Sequence, residues 1–481
     1  RSASQSRTLQ AGNMSALTKA KDFRDKLATA DEQGKRLWLY PRRPEGRMYQ
    51  LRTVLSWFQL AFLLGAPFIK VNGYPLIMFN ILELKFSLFG LVFWPHDFHI
   101  FVLAMLTLVV AIILLTSIVG RVWCGWMCPQ TVFMEMLFRK IEYAIEGSHS
   151  MHRRRDKAAP SWDRRRRKLL KHSIFLALSF VLGNVFLGYI IGGDALIELI
   201  ADPPQMHVAG LTAMVLFSLA FYWLYASFRE QFCTFLCPYA RLQSVLLDDD
   251  SIAVIYDGPR GEPRGKKSKR PDPNVPPPGD CVDCGICVQV CPTGIDIRDG
   301  APQLECINCA ACIDGCDAVM RKLDRPTGLI RYASNRMIQE RRRFQLRPRA
   351  VVYIVILGLL TSATCVLLLN RQAIEATALR TPGVMPLALA DGAVRNLYNL
   401  RIVNKRQEAQ QLGIKLVDQP GQVAVVGGSF ALASETVAQA TILVDIPASA
   451  LVPGRSDITL DVLGADGQLL ARVRTTFDNP Q

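Results

Sequence analysis

The sequence lacks several signatures that would point to a common function. It contains no CxxCH motif, which excludes a covalently attached c-type haem. Gly265-Lys266 has neither the glycine spacing nor the following Ser or Thr of a P-loop, so this pair does not indicate a nucleotide site. The first 50 residues are polar. We therefore expect no cleavable signal peptide there and a first hydrophobic segment that stays as a membrane anchor.

Cysteine is also missing from residues 371–481, where the pattern of apolar residues changes. Ile458, Leu460 and Val462 alternate with polar residues, and an Asp-Gly turn signal follows. Short strands with turns predict a small immunoglobulin-like β-sandwich that holds together without disulfides. Two interpretations of this domain stay open, namely docking to a partner and a stable appendage.

The composition argues against a single soluble globule, because 50% of the 481 residues are hydrophobic and the mean hydropathy is +0.19. A chain of this length suggests roughly three structural units. The 56 Lys and Arg against 41 Asp and Glu give a net charge of +15. The densest basic runs, residues 153–155 and 164–167, lie near apolar segments. We interpret them as contacts with anionic membrane lipid and not with nucleic acid.

Five uncharged stretches approach the roughly 20 apolar residues that cross a bilayer. They are residues 53–69, 98–120, 172–193, 203–228 and 350–370. The number of Lys and Arg is 11 in residues 1–50, one in 71–97, 12 in 121–168 and none in 193–206. Because positive loops stay in the cytoplasm, the N-terminus and the segment after the fourth stretch are predicted to lie inside, and the C-terminal domain outside. Residues 86–96 are too short to span and are interpreted as interfacial or re-entrant.

Eight of the 13 cysteines repeat one spacing. The two runs follow C-x2-C-x2-C-x3-C and consist of Cys281, Cys284, Cys287 and Cys291, then Cys306, Cys309, Cys312 and Cys316. This is the two-cluster bacterial ferredoxin arrangement, in which the fourth cysteine of each run binds the other 4Fe-4S cluster. The predicted ligand sets are Cys281, Cys284, Cys287 and Cys316 for cluster 1, and Cys306, Cys309, Cys312 and Cys291 for cluster 2. Zinc, which CxxC pairs also bind, is the competing interpretation.

Two further cysteine pairs, Cys124 with Cys128 and Cys233 with Cys237, follow the second and fourth apolar stretches, and each pair precedes a proline. Residues i and i+4 share a helix face, and a proline disfavours helix at the residue before it. The four thiols can therefore converge at one membrane depth, where soft sulfur, with Met127 nearby, favours Cu(I). A redox-active dithiol without metal and simple packing at helix ends remain as alternatives.

These observations predict a polytopic α-helical membrane protein with five transmembrane helices, an inserted ferredoxin-like domain and a C-terminal immunoglobulin-like β-sandwich. The predicted boundaries are an N-terminal segment at 1–50, a four-helix membrane domain at 51–248, a linker and ferredoxin-like domain at 249–349, the fifth helix at 350–370 and the sandwich at 371–481. Residues 258–280, rich in Pro, Gly and Lys, are the linker.

The combination of motifs resembles the cytochrome c oxidase accessory protein family called CcoG, FixG or RdxA. The resemblance covers about residues 35–481. It rests on the double ferredoxin motif, the β-rich tail and residues 120–130 (GRVWCGWMCPQ), 233–239, 256–265 and 328–332. It implies a bacterial inner-membrane protein whose N-terminus and ferredoxin-like domain are cytoplasmic and whose C-terminal domain is periplasmic. It also implies two 4Fe-4S clusters on the eight cysteines and a copper or redox site at Cys124, Cys128, Cys233 and Cys237.

The resemblance further implies an oxidoreductase that reduces Cu(II) to Cu(I) for assembly of the cbb-type haem-copper oxidase. The implied partners are membrane lipid, a cytosolic electron donor, and copper chaperones or oxidase assembly factors. One alternative is a quinol-linked electron-transfer protein of the NapH type, which shares the spans, the cysteine pairs and the clusters. The β-rich tail and residues 256–265 argue against it. The other alternative is a non-enzymatic redox-sensing or assembly scaffold.

Overall fold

The structure is a computed structural model of the chain. It describes residues 29, 33, 35–81, 85–94, 97–159, 161–265, 277–300, 303–341, 343, 345–372, 374–389, 392–405, 408–428, 430–434, 436–451 and 454–479. Most of the predicted segment 1–50 and the centre of the predicted linker 258–280 lie outside the described residues. Contacts within the chain divide it into two compact units, Arg1–Thr361 and Ser362–Gln481.

The first unit is mainly helical. Its helices are α1 (Arg47–Gly65), α2 (Phe98–Val119), α3 (Val122–Trp126), α4 (Pro129–Thr131), α5 (Arg139–Glu146), α6 (His149–Lys157), α7 (Trp162–Ile191), α8 (Gly193–Ala201), α9 (Val208–Trp223), α10 (Pro238–Leu246), α11 (Gly258–Gly261), α12 (Ile286–Gln289), α13 (Ala311–Lys322), α14 (Asn335–Gln339) and α15 (Pro348–Leu369), which continues into the second unit. Wider π-helical turns occupy Val132–Phe138, Leu224–Phe228 and Phe232–Leu236, and a 3-10 turn, Pro204–His207, precedes α9. Turns of the π type are rare in proteins, and those that occur often lie at functional sites.

Four helical segments of the described residues are long and apolar enough to cross a membrane. They are Phe98–Val119, Trp162–Ile191, Pro204–Phe228 and Pro348–Leu369. Helices suit such runs because a helix satisfies its backbone hydrogen bonds within the segment, where lipid offers no partner. The four segments lie at the predicted positions 98–120, 172–193, 203–228 and 350–370. Only α7 differs clearly, because it begins at Trp162 and so includes the basic residues 164–167.

The predicted first span, residues 53–69, is not one of these four segments. Its helix, α1, begins at Arg47 and ends at Gly65, so Arg47 and Arg52 lower its hydropathy. Its 19 residues measure about 28 Å at roughly 1.5 Å per residue, close to the hydrocarbon core of a bilayer. The length of α1 therefore permits it to cross a membrane, but its composition does not identify it as a membrane span.

Contacts at the two ends of α1 join it to two different regions of the first unit. At its start, the Tyr49 backbone N–H donates to the carboxylate of Asp314 in the cysteine-rich region at 2.7 Å. At its end, the Leu63 carbonyl accepts from the Tyr189 hydroxyl, near the C-terminus of α7, at 2.7 Å. The count of five spans stays a prediction. These contacts and the length of α1 are the support for α1 as the additional span.

A reporter-fusion experiment tests the predicted sidedness. Reporters at residue 30 and in the linker 258–280 are expected to be cytoplasmic, and a reporter within 371–481 periplasmic, because basic residues concentrate in the loops predicted to lie inside. Reporter activity of residue 30 on the side opposite to the linker would reduce the count to four spans. A cytoplasmic sandwich would show that α15 does not cross.

Between α1 and α2 the chain forms small antiparallel sheets. Their strands are β1 (Lys70–Val71), β2 (Tyr74–Pro75), β3 (Ile77–Asn80), β4 (Lys85–Leu88) and β5 (Leu91–Phe93). The order β3–β4–β5 pairs Ile77 with Leu88. Phe86 stacks on Phe101 of α2 with ring centroids 5.0 Å apart. Residues 85–88 pair with β3, and residues 91–93 pair with residues 86–88. The interfacial or re-entrant position of residues 86–96 stays a prediction.

The cysteine-rich region is closed by a two-stranded antiparallel sheet. β6 (Ala253–Tyr256) pairs with β7 (Ile330–Ala333), and every residue of β6 is buried. Val254, Leu329 and Ile330 pack in one core with several of the ferredoxin-type cysteines. The sulfur-bearing helix α13 contacts β7 of this sheet, α12 and the helix α1.

The second unit is a β-sandwich. Its strands are β8 (Ile374–Arg380), β9 (Leu387–Ala388), β10 (Ala393–Asn404), β11 (Gln410–Leu416), β12 (Gln422–Val425), β13 (Phe430–Leu432), β14 (Val437–Pro447), β15 (Gly454–Leu463) and β16 (Leu469–Asn479). One sheet has the order β12–β14–β10–β8 with β9 beside β10, and the other has the order β13–β11–β15–β16. Ile458, Leu460 and Val462 are 0% exposed, as their alternation predicts. The predicted sandwich without disulfides is confirmed.

Candidate functional site

The first group of ferredoxin-type thiols consists of Cys281, Cys284, Cys287 and Cys316. Burial raises the pKa of the Cys316 thiol to about 12, and the neighbouring thiols of Cys287, Cys284 and Cys281 also raise it. The last cysteine of the second run therefore lies among the first three of the first run. Cys284 is exposed, so this group reaches the surface of the unit.

The second group consists of Cys291, Cys306, Cys309 and Cys312. Burial raises the pKa of Cys312 well above its ordinary value, and the thiols of Cys309, Cys306 and Cys291 add to the effect. A cavity lies between these four residues and the apolar side chains around them. The structure brings both crossed groups together, and the identity of the bound ligands stays a prediction.

The donor chemistry of both groups fits 4Fe-4S clusters. Each group offers four cysteine thiols, all in described residues, which is the ligand set of a 4Fe-4S cluster. Backbone N–H groups of Asn308 and Ala311 donate to the sulfurs of Cys306 and Cys309. They lower the pKa of these buried thiols and so favour the thiolates that iron requires.

The loops before α12 and α13 have the same backbone conformation. Asp283 and Asn308 have φ angles of 53° and 54°, and Gly285 and Ala310 have φ angles of 65° and 63°. Non-glycine residues rarely adopt such left-handed values. The repetition at matching positions shows that the two runs fold alike.

The two membrane-adjacent cysteine pairs also resemble each other. Cys128 and Cys237 have extended backbones, with ψ angles of 123° and 110°, and each is followed by the proline that begins the next helix. Cys124 lies in α3, and Cys233 lies in the π-helical turn Phe232–Leu236. Proline at the first helical position needs no backbone donor, which explains the break after each second cysteine.

The four membrane-adjacent thiols converge. Burial raises the pKa of Cys233 to about 12, and the thiols of Cys128, Cys124 and Cys237 raise it further. Burial likewise raises the pKa of Cys124 to about 11, with contributions from Cys128 and Cys237. We call these four residues the thiol quartet. No three of its sulfurs lie within 4.8 Å of one another.

Two side chains that the sequence did not single out, Gln243 and Thr116, position Cys124 of the thiol quartet. The Cys124 thiol donates to Gln243 Oε1 at 3.1 Å, and Gln243 Nε2 donates to Thr116 Oγ1 at 3.3 Å. Gln243 is 0% exposed, so this chain of hydrogen bonds fixes the Cys124 side chain in the interior. The Met127 sulfur instead accepts a hydrogen bond from Gln59 Nε2 at 3.1 Å.

The thiol quartet lies directly against the second ferredoxin-type group. Cys124 packs in one apolar cluster with Ile307 and Cys309. A Cβ atom on Gly125 would overlap the Ile307 carbonyl oxygen and lie 2.9 Å from the backbone N of Cys309. The backbone of the Cys124 loop thus contacts the backbone of the loop between Cys306 and Cys309.

Aromatic side chains strengthen the same contact. The Trp126 indole N–H donates to the Asn308 carbonyl at 3.2 Å and lies 2.9 Å from the Tyr332 hydroxyl oxygen. The Tyr332 hydroxyl donates to the same carbonyl at 2.6 Å. Trp126, two residues from Cys124, is therefore bound to the loop that carries Cys309.

Three family models match the chain. A 4Fe-4S dicluster domain matches residues 228–335, and an IG-like fold at the C-terminal of FixG matches residues 364–480. A 4Fe-4S binding domain matches residues 101–147 and 207–248, which contain the whole thiol quartet. Together these models cover the ferredoxin-type region, the sandwich and the membrane-adjacent cysteines.

Full-length relatives decide the family. Protein RdxA of Cereibacter sphaeroides is 33% identical over 91% of this chain and 97% of the relative. Nitrogen fixation protein FixG of Rhizobium meliloti is 32% identical over 82% of each chain. Protein RdxB of C. sphaeroides is 34% identical over 81% of this chain and 84% of the relative. The chain belongs to the FixG/RdxA family.

A solved FixG-related protein from Vibrio parahaemolyticus covers 23% of this chain and 100% of its own length, at 18% identity and a TM-score of 0.19.

Membership of the FixG/RdxA family, the ferredoxin-type domains and the four apolar helices identify an iron-sulfur membrane protein with a redox function.

One arginine beside the first group was not predicted. Arg298 Nη1 lies 3.9 Å from the Cys281 sulfur, and its guanidinium pairs with Asp283 and Asp296 at 2.6 and 2.7 Å. Its side chain is 9% exposed. No spacing rule for cysteine runs includes an arginine at this position, so only the fold could reveal it.

The eight ferredoxin-type cysteines lead to a prediction about iron. We expect about eight iron atoms per chain after anaerobic purification, because two cubanes hold four each. The C284S/C309S double variant removes one ligand from each set and is expected to lose most of this iron and the 4Fe-4S absorption. Copper binding should remain, because the thiol quartet is intact. Stoichiometric zinc with almost no iron in the parent would contradict the assignment.

Proposed function

We propose that this FixG/RdxA-family chain reduces Cu(II) to Cu(I) at the thiol quartet. The observation that carries the proposal is the convergence of four thiols directly against the Cys306–Cys309 loop. The thiol quartet, where copper would take up one electron, is therefore in backbone contact with the second ferredoxin-type group, whose cluster would donate one electron. The resemblance stated above supplies the purpose, assembly of the copper site of a cbb-type oxidase.

The chemistry of the thiol quartet suits reduced copper. Thiolates are soft ligands and bind Cu(I) in preference to Cu(II), so copper held there is more easily reduced. Each Cu(II) takes up one electron and becomes Cu(I), and no disulfide forms. A one-electron donor on the cytoplasmic side supplies that electron. Two 4Fe-4S clusters at the eight ferredoxin-type cysteines would supply one-electron transfer.

The remaining roles belong to residues of the chain. Gln243 accepts a hydrogen bond from Cys124 in the interior, and the prolines after Cys128 and Cys237 end the helical backbone at each second cysteine. Cys284, exposed at the surface, marks the side from which a cytosolic donor would approach. Membrane lipid, that donor, and copper chaperones or oxidase assembly factors are the proposed partners, with the sandwich on the periplasmic side.

A second candidate has its own support. The family model over the thiol quartet describes a 4Fe-4S binding domain, and no three sulfurs of the quartet lie within 4.8 Å of one another, as is also true of the ferredoxin-type groups. Under this alternative the quartet binds a third cluster, and the protein is an electron carrier without a copper site. The same four side chains serve either ligand, so metal content separates the two candidates.

One experiment tests the proposal against its alternatives. The purified protein is reduced anaerobically, freed of reductant by gel filtration and mixed with Cu(II) and a Cu(I)-specific chelator, while its iron is counted. A second sample is mixed in oxidised form with a quinol. We expect Cu(I) to form and iron to be about eight per chain. About twelve irons would support the third cluster, quinol oxidation without copper reduction would support the NapH type, and neither reaction would support a scaffold.

A further inference from the structure

Arg121 lies between the thiol quartet and the second ferredoxin-type group. It immediately precedes α3, and its Nη1 donates to the Leu304 carbonyl, two residues before Cys306. Its side chain is buried, because the residue is only 3% exposed. The neighbouring Gly120 also contacts this region, since a Cβ there would lie 3.0 Å from the Asn308 side-chain nitrogen.

The position of Arg121 puts it beside both groups. It is three residues before Cys124, and it contacts the carbonyl two residues before Cys306. Cys124 in turn packs against Ile307 and Cys309 of the second group's loop. One buried cation therefore lies at the junction of the two groups.

Arg121 differs from the buried arginines Arg229 and Arg139 because no carboxylate binds it. Arg229 is held by both oxygens of Glu142 at 2.9 Å, and Arg139 pairs with Glu135 and Glu230. Within the described residues, Arg121 forms no ion pair within 4.0 Å, and its Nε is buried without a hydrogen-bond partner.

A buried cation without a counter-charge is strongly destabilising. Sulfur-bearing residues lie on either side of Arg121, because Cys124 follows it by three residues and Cys306 follows its partner Leu304 by two. The buried, partnerless Nε thus indicates anionic ligands that the thiol groups provide when they bind metal.

We propose that Arg121 is the shared counter-ion of the thiol quartet and of the second ferredoxin-type group. Its fixed positive charge stabilises the thiolates that hold reduced copper, and it stabilises the second cluster after that cluster gains an electron. Arg121 is a positioning residue and does not react. The copper half of this proposal rests on the proposed function, whereas the cluster half rests only on the ferredoxin-type cysteines.

The test compares R121Q, which removes the charge, with R121K, which keeps it. Copper-free purified protein is titrated with reductant and followed by electron paramagnetic resonance, and the variants C284S and C309S assign the signals to the first and second cluster. In R121Q we expect the ratio of reduced to oxidised second cluster at a fixed potential to fall at least tenfold, which is about 59 mV for one electron. The first cluster, which has Arg298, should keep its parental ratio, and R121K should resemble the parent.

A second measurement addresses the thiol quartet. Competition with a Cu(I) chelator is expected to show at least tenfold weaker Cu(I) binding in R121Q and parental binding in R121K. If the parent binds no copper, the proposed function fails, but the titration of the second cluster still decides the role of Arg121.

Each outcome decides the proposal. Parental ratios for both clusters in R121Q, or equal shifts of both, would overturn it. If R121Q does not retain iron, R121M serves as a second neutral variant of similar length. Iron lost in both neutral variants and kept in R121K supports a requirement for the charge, whereas iron lost in R121K as well would show that Arg121 acts through its shape.

Discussion

Replacing Cys124 and Cys128 together with serine is expected to reduce the rate of Cu(II) reduction at least a hundredfold, while iron content stays at the parental value. A serine hydroxyl is a hard, rarely ionised ligand, so the variant loses the sulfur that favours Cu(I). Serine has nearly the size of cysteine, and therefore the packing of Cys124 against Ile307 and Cys309 should persist. The iron ligands lie within residues 281–316 and are complete without these two thiols.

The matched control is C365S. Cys365 lies in α15 and is exposed, so it is a thiol of the same chain outside the thiol quartet. The rates with Cu(II) are measured anaerobically after removal of excess reductant, with iron and Cu(I) counted in the same samples. A double variant that still reduces copper at the rate of C365S would show that Cys124 and Cys128 are structural. A double variant that loses a third of the iron would favour a third cluster at the thiol quartet.

Local spacing explains why the sequence predicted the sulfur groups. Three cysteines at intervals of three residues can reach one centre through a single short loop, and the fourth, four residues further, falls outside that loop. Crossing to the other run is then a consequence of chain geometry, and the structure groups Cys316 with Cys281, Cys284 and Cys287 accordingly. Long apolar runs predicted the other main feature, because lipid forces such runs into helices.

Contacts between distant parts of the chain were not predictable in this way. Gln243 reaches Cys124 across 119 residues, and Arg121 reaches Leu304 across 183. Neither pairing has a spacing rule, because each depends on how the membrane helices pack against the cysteine-rich region.

The span at α1 is ambiguous for a related reason. Arg52 is only 4% exposed in the fold, but a hydropathy count treats it as fully charged and exposed.

The second large effect is expected from one methyl group at Gly125. Gly125 lies within α3 with ordinary helical geometry, where alanine is more favourable than glycine by about 1 kcal/mol. The helix itself should therefore tolerate G125A. The added Cβ would overlap the Ile307 carbonyl oxygen and approach the backbone N and Cα of Cys309 at 2.9 Å. The opposing atoms belong to the backbone and cannot relieve the overlap by a change of side-chain rotamer. The α3 helix and the Cys306–Cys309 loop must therefore move apart.

We expect G125A to slow Cu(II) reduction at least tenfold, because the thiol quartet would move away from the Cys306–Cys309 loop. Iron content and Cu(I) binding should stay at parental values, since every sulfur ligand remains. The matched control is G210A in α9, where a Cβ would meet nothing within 4 Å. Rates are measured after mixing reduced, reductant-free protein with Cu(II) and a Cu(I) chelator. If G125A reduces copper as fast as G210A does, close contact between the two loops is not required, and the electron must reach copper by another route.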